Sequence, residues 1–194
     1  MFRINLKNNR GFTIIETMIA ISIFLVVVTI GMGALLNASA IHQKSQDMRS
    51  IMDNLSFIME DMSRNIRTGY DYHCIDNGDI SRTDPHSCSV DGKGISFKSA
   101  TGPQWIYQIT DNGTLFDIRK FSDGYTSNPI QLNPAEVQLT SDSGFWITGA
   151  ESPSSSSDTQ QPFVTIRLVG VITYKGADTP FSLQTSVSQR QLDR

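Results

Sequence analysis

The chain has 194 residues, 39% of them hydrophobic and 18% charged, with a formal net charge of −3. That mildly acidic balance argues against the basic face that non-specific nucleic-acid binding requires, so no nucleic-acid partner is expected. The charge is unevenly placed: the first eleven residues carry Arg3, Lys7 and Arg10 and no acid, which leaves −6 for the rest.

At Gly11 the composition changes abruptly. Phe12 to Leu36 are 25 residues with a single charge, Glu16. A run of that length spans a bilayer as a helix, and the basic leader marks its cytoplasmic side. A carboxylate in lipid costs about 2.5–3.5 kcal/mol at mid-depth on insertion scales, so an intramembrane acid is read as functional. Two plainer readings exist. Ala38-Ser39-Ala40 has the small residues of a secretory-signal cleavage site, and the run alone would serve as a single-pass anchor. Neither gives Glu16 a role, and the run is long for a signal peptide.

The stretch Gly11-Phe12-Thr13-Ile14-Ile15-Glu16, with a basic leader before it and an apolar helix after it, resembles the processing motif of type IV pilins and of the pseudopilins of type II secretion. The resemblance implies that a prepilin peptidase cleaves after Gly11 and methylates the new amino group of Phe12. A glycine there lets a protease approach the backbone closely. It also implies that Glu16 neutralises the Phe12 amine of an adjacent subunit. Such a pair sets axial register more than strength, because a buried ion pair need not be net stabilising. The partners implied are the peptidase, other pilin or pseudopilin subunits, the inner membrane and, in a secretion apparatus, a secreted cargo. The chain then divides into a cleaved leader (1–11), a transmembrane and filament-core helix (12–36) and an extracytoplasmic domain (37–194).

Gly31 and Gly33 lie inside the apolar run. They fit either a stretch that unwinds on filament assembly or close helix contacts in a membrane. Beyond Leu36 the helix pattern continues on one face through Ile41, Met48, Met52, Leu55, Met59, Met62 and Ile66, widened by Ile51 and Ile58. Lys44, Asp47, Glu60 and Arg64 take the opposite side. No proline interrupts residues 12–68, and Gly69 is placed as a C′ stop.

From there the period becomes two. Strands are expected at 94–99, 104–110, 115–120, 136–140, 144–148, 163–174 and 181–189. Asp111-Asn112-Gly113 reads as a hairpin turn, 175–179 as a second turn, and 151–161 as an exposed loop. Trp105, Tyr107 and Ile109 share one face of their strand. Hairpins joined by short turns mean an antiparallel sheet, so the fold class is α+β: one long N-terminal helix packed on an antiparallel sheet. Cys74 and Cys88 suit an exported domain as a disulfide, which contributes ~3 kcal/mol in the chain-entropy model. His73, Cys74, His86 and Cys88 can instead be drawn as a metal site, and Asp76-Asn77-Gly78-Asp79 as a fragment of a calcium loop that lacks its further carboxylates. The disulfide and an acidic turn are the simpler readings, with no metal and no cofactor.

No Gly-x-Ser-x-Gly, His-Glu-x-x-His or phosphate loop occurs, so no catalytic residues and no enzyme activity are expected. The stretch Phe181 to Arg190 looks like the final strand of J-type minor pseudopilins. The expected role is a minor pilin or pseudopilin acting as a structural subunit. The alternative is a tip adhesin or DNA-uptake pilin acting as a binding module.

Overall fold

The structure is a computed structural model that describes residues 11–76, 80–82, 84–111, 113, 116–151 and 160–190, with 89–91 as backbone only. The chain separates into two compact units, Met1–Arg49 and Ser50–Arg194. A single helix, α1 (Ile14–Thr68), contributes to both. In the first unit the helical residues up to Gln46 are all exposed. Their hydroxyls fold back onto the helix: Thr17 Oγ1 donates to Ile14 O, Ser22 Oγ to Met18 O and Thr29 Oγ1 to Leu25 O, each at 2.8 Å. Such back-bonding lets a polar side chain sit in an apolar medium. The helix continues unbroken through Gly31 and Gly33.

The packing boundary at Arg49 differs from the hydropathy boundary at Leu36 because burial begins only at Ile51. In the second unit α1 buries Ile51, Leu55, Ile58, Met59, Met62 and Ile66. Met52 is only half-buried, and Ile41, which continues the series by spacing, is 70% exposed.

The helix ends at Thr68 for a reason other than a left-handed glycine. Gly69 is not among the residues with positive φ. A Cβ there would strike the Phe97 ring and lie 3.0 Å from Lys98 O, so the glycine permits close passage over the sheet. The Tyr72 hydroxyl sits 2.6 Å from Ile66 O, which also accepts the Gly69 N–H, and 2.8 Å from Gly69 O, so its one proton is shared between two carbonyls at the helix end. The positive φ falls at Asp71, in a bulge, where its carboxylate meets Lys98 Nζ at 2.7 Å.

The rest of the second unit is an antiparallel sheet. Its strands are β1 (Tyr70–Ile75), β2 (Cys88–Gly92), β3 (Gly94–Lys98), β4 (Gln104–Asp111), β5 (Phe116–Phe121), β6 (Ile130–Gln131), β7 (Val137–Leu139), β8 (Gly144–Thr148), β9 (Phe163–Tyr174) and β10 (Ala177–Ser188). The order runs β1-β3-β4-β5-β7-β9-β8-β2, with β6 added to β5 and β10 to β9. One edge of β9 is shared by β7 and β8, and β10 covers the other edge over its whole length. The two ends of the path meet: Cys74 of β1 is disulfide-bonded to Cys88 of β2, with Cα atoms 5.7 Å apart. The sheet is therefore curled.

The expected strands from residue 94 onward are present, with small shifts at their ends. The second turn is shorter than expected. Lys175 and Gly176 alone form it, with φ of 47° and 73°, as a two-residue turn of the primed type requires. At the first turn Gly113 has φ 97° and donates its N–H to Asp111 Oδ1 at 2.7 Å, while Asn112, Thr114 and Leu115 lie outside the described residues. Most of the expected exposed loop, 152–159, lies outside them as well. Three strands were not anticipated: β1, β2 and the two-residue β6.

Trp105, Tyr107 and Ile109 do share a face, but Ile106 on the opposite face is also fully buried. It packs with Ile75 and Phe121 in a second cluster, and Ile80 lies against it. On the helix side, Asn65 Nδ2 bridges Tyr107 Oη at 2.9 Å and Asp61 Oδ2 at 3.0 Å. Burial chiefly, with the Asp61 charge adding and the Asn65 bond opposing, pushes the Tyr107 phenol well above its ordinary range. Lys120 Nζ lies 4.1 Å over the Trp105 ring and 3.6 Å from Asp61 Oδ2.

Gly170 interrupts the apolar face of β9 because its cross-strand neighbour Phe181 lies over it. A Cβ at 170 would lie 2.9 Å from Phe181 Cε1 and also strike the Gln138 carbonyl of β7. Gly170→Ala is therefore expected to lower stability by about 1–3 kcal/mol, the usual overpacking range. A urea midpoint unchanged from the parent chain would show that β7 and Phe181 yield freely.

Candidate functional site

The N-terminal site is set by where α1 begins. Thr13 stands just before the first helical residue, and its Oγ1 accepts the N–H of Glu16 at 3.3 Å. The N–H of Thr17 closes the first turn on Thr13 O at 3.2 Å. This is half of a Thr-x-x-Glu capping box, with Glu16 at the third helical position. Gly11 and Phe12 consequently lie outside the helix. Both are exposed, Phe12 to 81%, and nothing comes within 4 Å of a Cβ built on Gly11. A non-helical, uncovered peptide bond is what a protease can draw into an extended conformation. Glu16 is exposed in the first turn of the helix.

Residues 6–32 match the family model described as the prokaryotic N-terminal methylation motif. The chain has a type IV pilin-like N-terminus. No curated protein and no solved structure matches the chain. The motif is characteristic of type IV pilins and pseudopilins, and it implies a structural subunit that is processed by a prepilin peptidase and assembles with other pilin subunits. Among the described residues one helix is long and apolar enough to cross a membrane, and motif and helix together are the features of a membrane-anchored, single-pass protein.

In the globular part of the chain, the disulfide is locked in by its surroundings. Cys74 donates its N–H to His86 O, and His86 donates its N–H to Tyr72 O, each at 3.0 Å. Gly92 lies so close that a Cβ there would be 2.6 Å from Cys74 Sγ and 2.8 Å from Cys88 Sγ. Ser87, beside Cys88, donates its N–H to Glu151 Oε1 at 2.8 Å and its hydroxyl to Oε2 at 2.5 Å. Partial burial works against the Glu151 charge, but the Ser87 bonds and the neighbouring His86 outweigh it and hold the carboxyl below its ordinary range.

With both sulfurs bonded to each other, the two-His two-Cys metal reading loses its thiolate ligands. His73 is buried with Nδ1 2.6 Å from Asp84 O, and no group of three or more metal-ligating side chains occurs among the described residues. Of the calcium-loop fragment, Asp76 is exposed, and Asn77, Gly78 and Asp79 lie outside the described residues.

Two supporting residues were missed from sequence. Thr13 is one, although the Thr-x-x-Glu spacing before an apolar run is a readable helix-start signal. Gly92 is the other, and no local pattern marks it.

Proposed function

We propose that this chain is a minor pilin or pseudopilin, a non-enzymatic structural subunit of a type II secretion pseudopilus or a type IV pilus. Residues 1–11 are the leader, cut between Gly11 and Phe12, and the new Phe12 amine is methylated. Residues 12–36 hold the subunit in the inner membrane and later in the filament, with the domain beyond on the far side of that membrane. Glu16 counters the Phe12 amine of a neighbouring subunit. The sequence of β10 favours the J-type minor pseudopilins within that group.

The observation that carries this reading is the matched motif with Gly11-Phe12 uncovered just before a Thr13-capped helix. The test is mass spectrometry of the chain from cells with and without an active prepilin peptidase. A peptide beginning with N-methylated Phe12 is expected only with the peptidase. A mature protein beginning near Ile41 would mean signal-peptide cleavage and would overturn the proposal.

A further inference from the structure

β10 is a long strand that pairs with β9 alone among the described residues. Its register shows which backbone groups face the open side. The two-residue turn makes Tyr174 and Ala177 a hydrogen-bonded pair, and bonding then alternates along the ladder. Residues 178, 180, 182, 184, 186 and 188 therefore direct their backbone groups away from β9. Pro180, which has no N–H to give, falls in this set, as a strand proline must.

Natural edge strands are guarded by charges, prolines or bulges. Here the guards Asp178 and Pro180 stand near the turn, and Phe181 to Gln189 carries neither charge nor proline. That unguarded half runs beside α1 and forms a groove with it. Consecutive hollows of about 340, 320 and 400 Å³ lie along it, from Met59 and Leu183 to Arg67 and Arg190. The far end is chemically specific. Arg67 and Arg190 have no side-chain partner among the described residues, whereas Arg64 is paired with Glu60 at 3.1 Å. Gln189, only 8% exposed, lines the same hollow, and its buried Oε1 accepts no hydrogen bond from any described residue.

We propose that this groove binds an extended, acidic polypeptide segment of a partner protein, which adds as a strand to the open edge of β10. Main-chain bonds go to residues 182–188, a carboxylate meets Arg67 and Arg190, and a peptide N–H supplies the donor that Gln189 Oε1 lacks. The binding does not depend on how the N-terminus is processed, so the two readings can fail separately.

The test uses the full chain in non-ionic detergent and a fluorescent eight-residue peptide alternating threonine and glutamate, which puts every carboxylate on one face. The peptide is expected to bind, to slow amide exchange over 182–188, and to bind at least tenfold more tightly than the same peptide with lysine in place of glutamate. Gln184→Pro removes one outward N–H without touching the β9 ladder, as Pro180 already does, and should weaken binding at least tenfold with unchanged thermal unfolding. Arg67→Gln with Arg190→Gln should do the same and give a flatter salt dependence. No binding at millimolar peptide, equal binding of the lysine peptide, or parental affinity in either variant overturns the proposal.

Discussion

Gly92→Ala should destabilise the globular unit by about 1–3 kcal/mol, and Gly92→Val by more. The added Cβ would lie 2.6 Å from Cys74 Sγ, 2.7 Å from Phe145 O and 2.8 Å from Cys88 Sγ. None of these is the free end of a flexible side chain. The sulfurs are fixed by their bond, and the carbonyl belongs to β8. Removing the disulfide by Cys74→Ala with Cys88→Ala should itself cost ~3 kcal/mol, because a loop of this size is no longer closed in the unfolded chain. The same change deletes two of the three atoms that alanine at 92 would strike and leaves the Phe145 carbonyl in place. The two effects should therefore add only in part: Gly92→Ala should cost less in the disulfide-free background than in the parent, the remainder coming from the Phe145 carbonyl. Urea unfolding of the four proteins gives the coupling. Strict additivity would mean that Gly92 acts through its backbone and not through the sulfurs.

The parts of the fold that were legible in the sequence are those where one period dominates and one face is buried. Leu55, Met59, Met62 and Ile66 follow the helical spacing and are buried. Val164, Ile166, Leu168 and Ile172 alternate along β9 as read. The failures share a cause, which is contact between segments distant in sequence. β1 follows the helix at once as Tyr-Asp-Tyr-His-Cys-Ile, where no alternation is visible because four successive residues are buried, on both faces. Ile106 is buried because Ile75 and Phe121 come to its side of the sheet. Gly69 reads as a C-cap but is required by the Phe97 ring. At the N-terminal site the order is reversed. Gly11, Phe12 and Glu16 stand within six residues, so the motif is local and readable, while the hollow at Gln189 joins the end of α1 to the end of β10 and has no sequence signature.

Glu16→Ala should leave a processed, membrane-inserted chain that fails to enter the filament. Three effects have to be separated. Removing a charge from the apolar run makes insertion easier, by up to about 2.5–3.5 kcal/mol on insertion scales. Loss of a first-turn carboxylate costs the helix only about 0.3–1 kcal/mol, and the Thr13 cap survives because it uses the backbone N–H of residue 16. Against these, on the proposed role, the Phe12 amine of an adjacent subunit loses its counter-charge in an apolar filament core. An unpaired buried charge costs about 3–5 kcal/mol, well above the first-turn effect, and unlike the insertion gain it acts on assembly. Thr13→Ala supplies the control: it should cost about 1 kcal/mol of helix capping and leave assembly largely intact. The measurement is the ratio of sheared filament fraction to membrane fraction for the parent, Glu16→Ala and Thr13→Ala, with leader removal followed on the same gel. Normal incorporation of processed Glu16→Ala would remove the charge pair from the assembly mechanism. An equal defect in Thr13→Ala would assign the effect to the start of the helix instead of to the carboxylate.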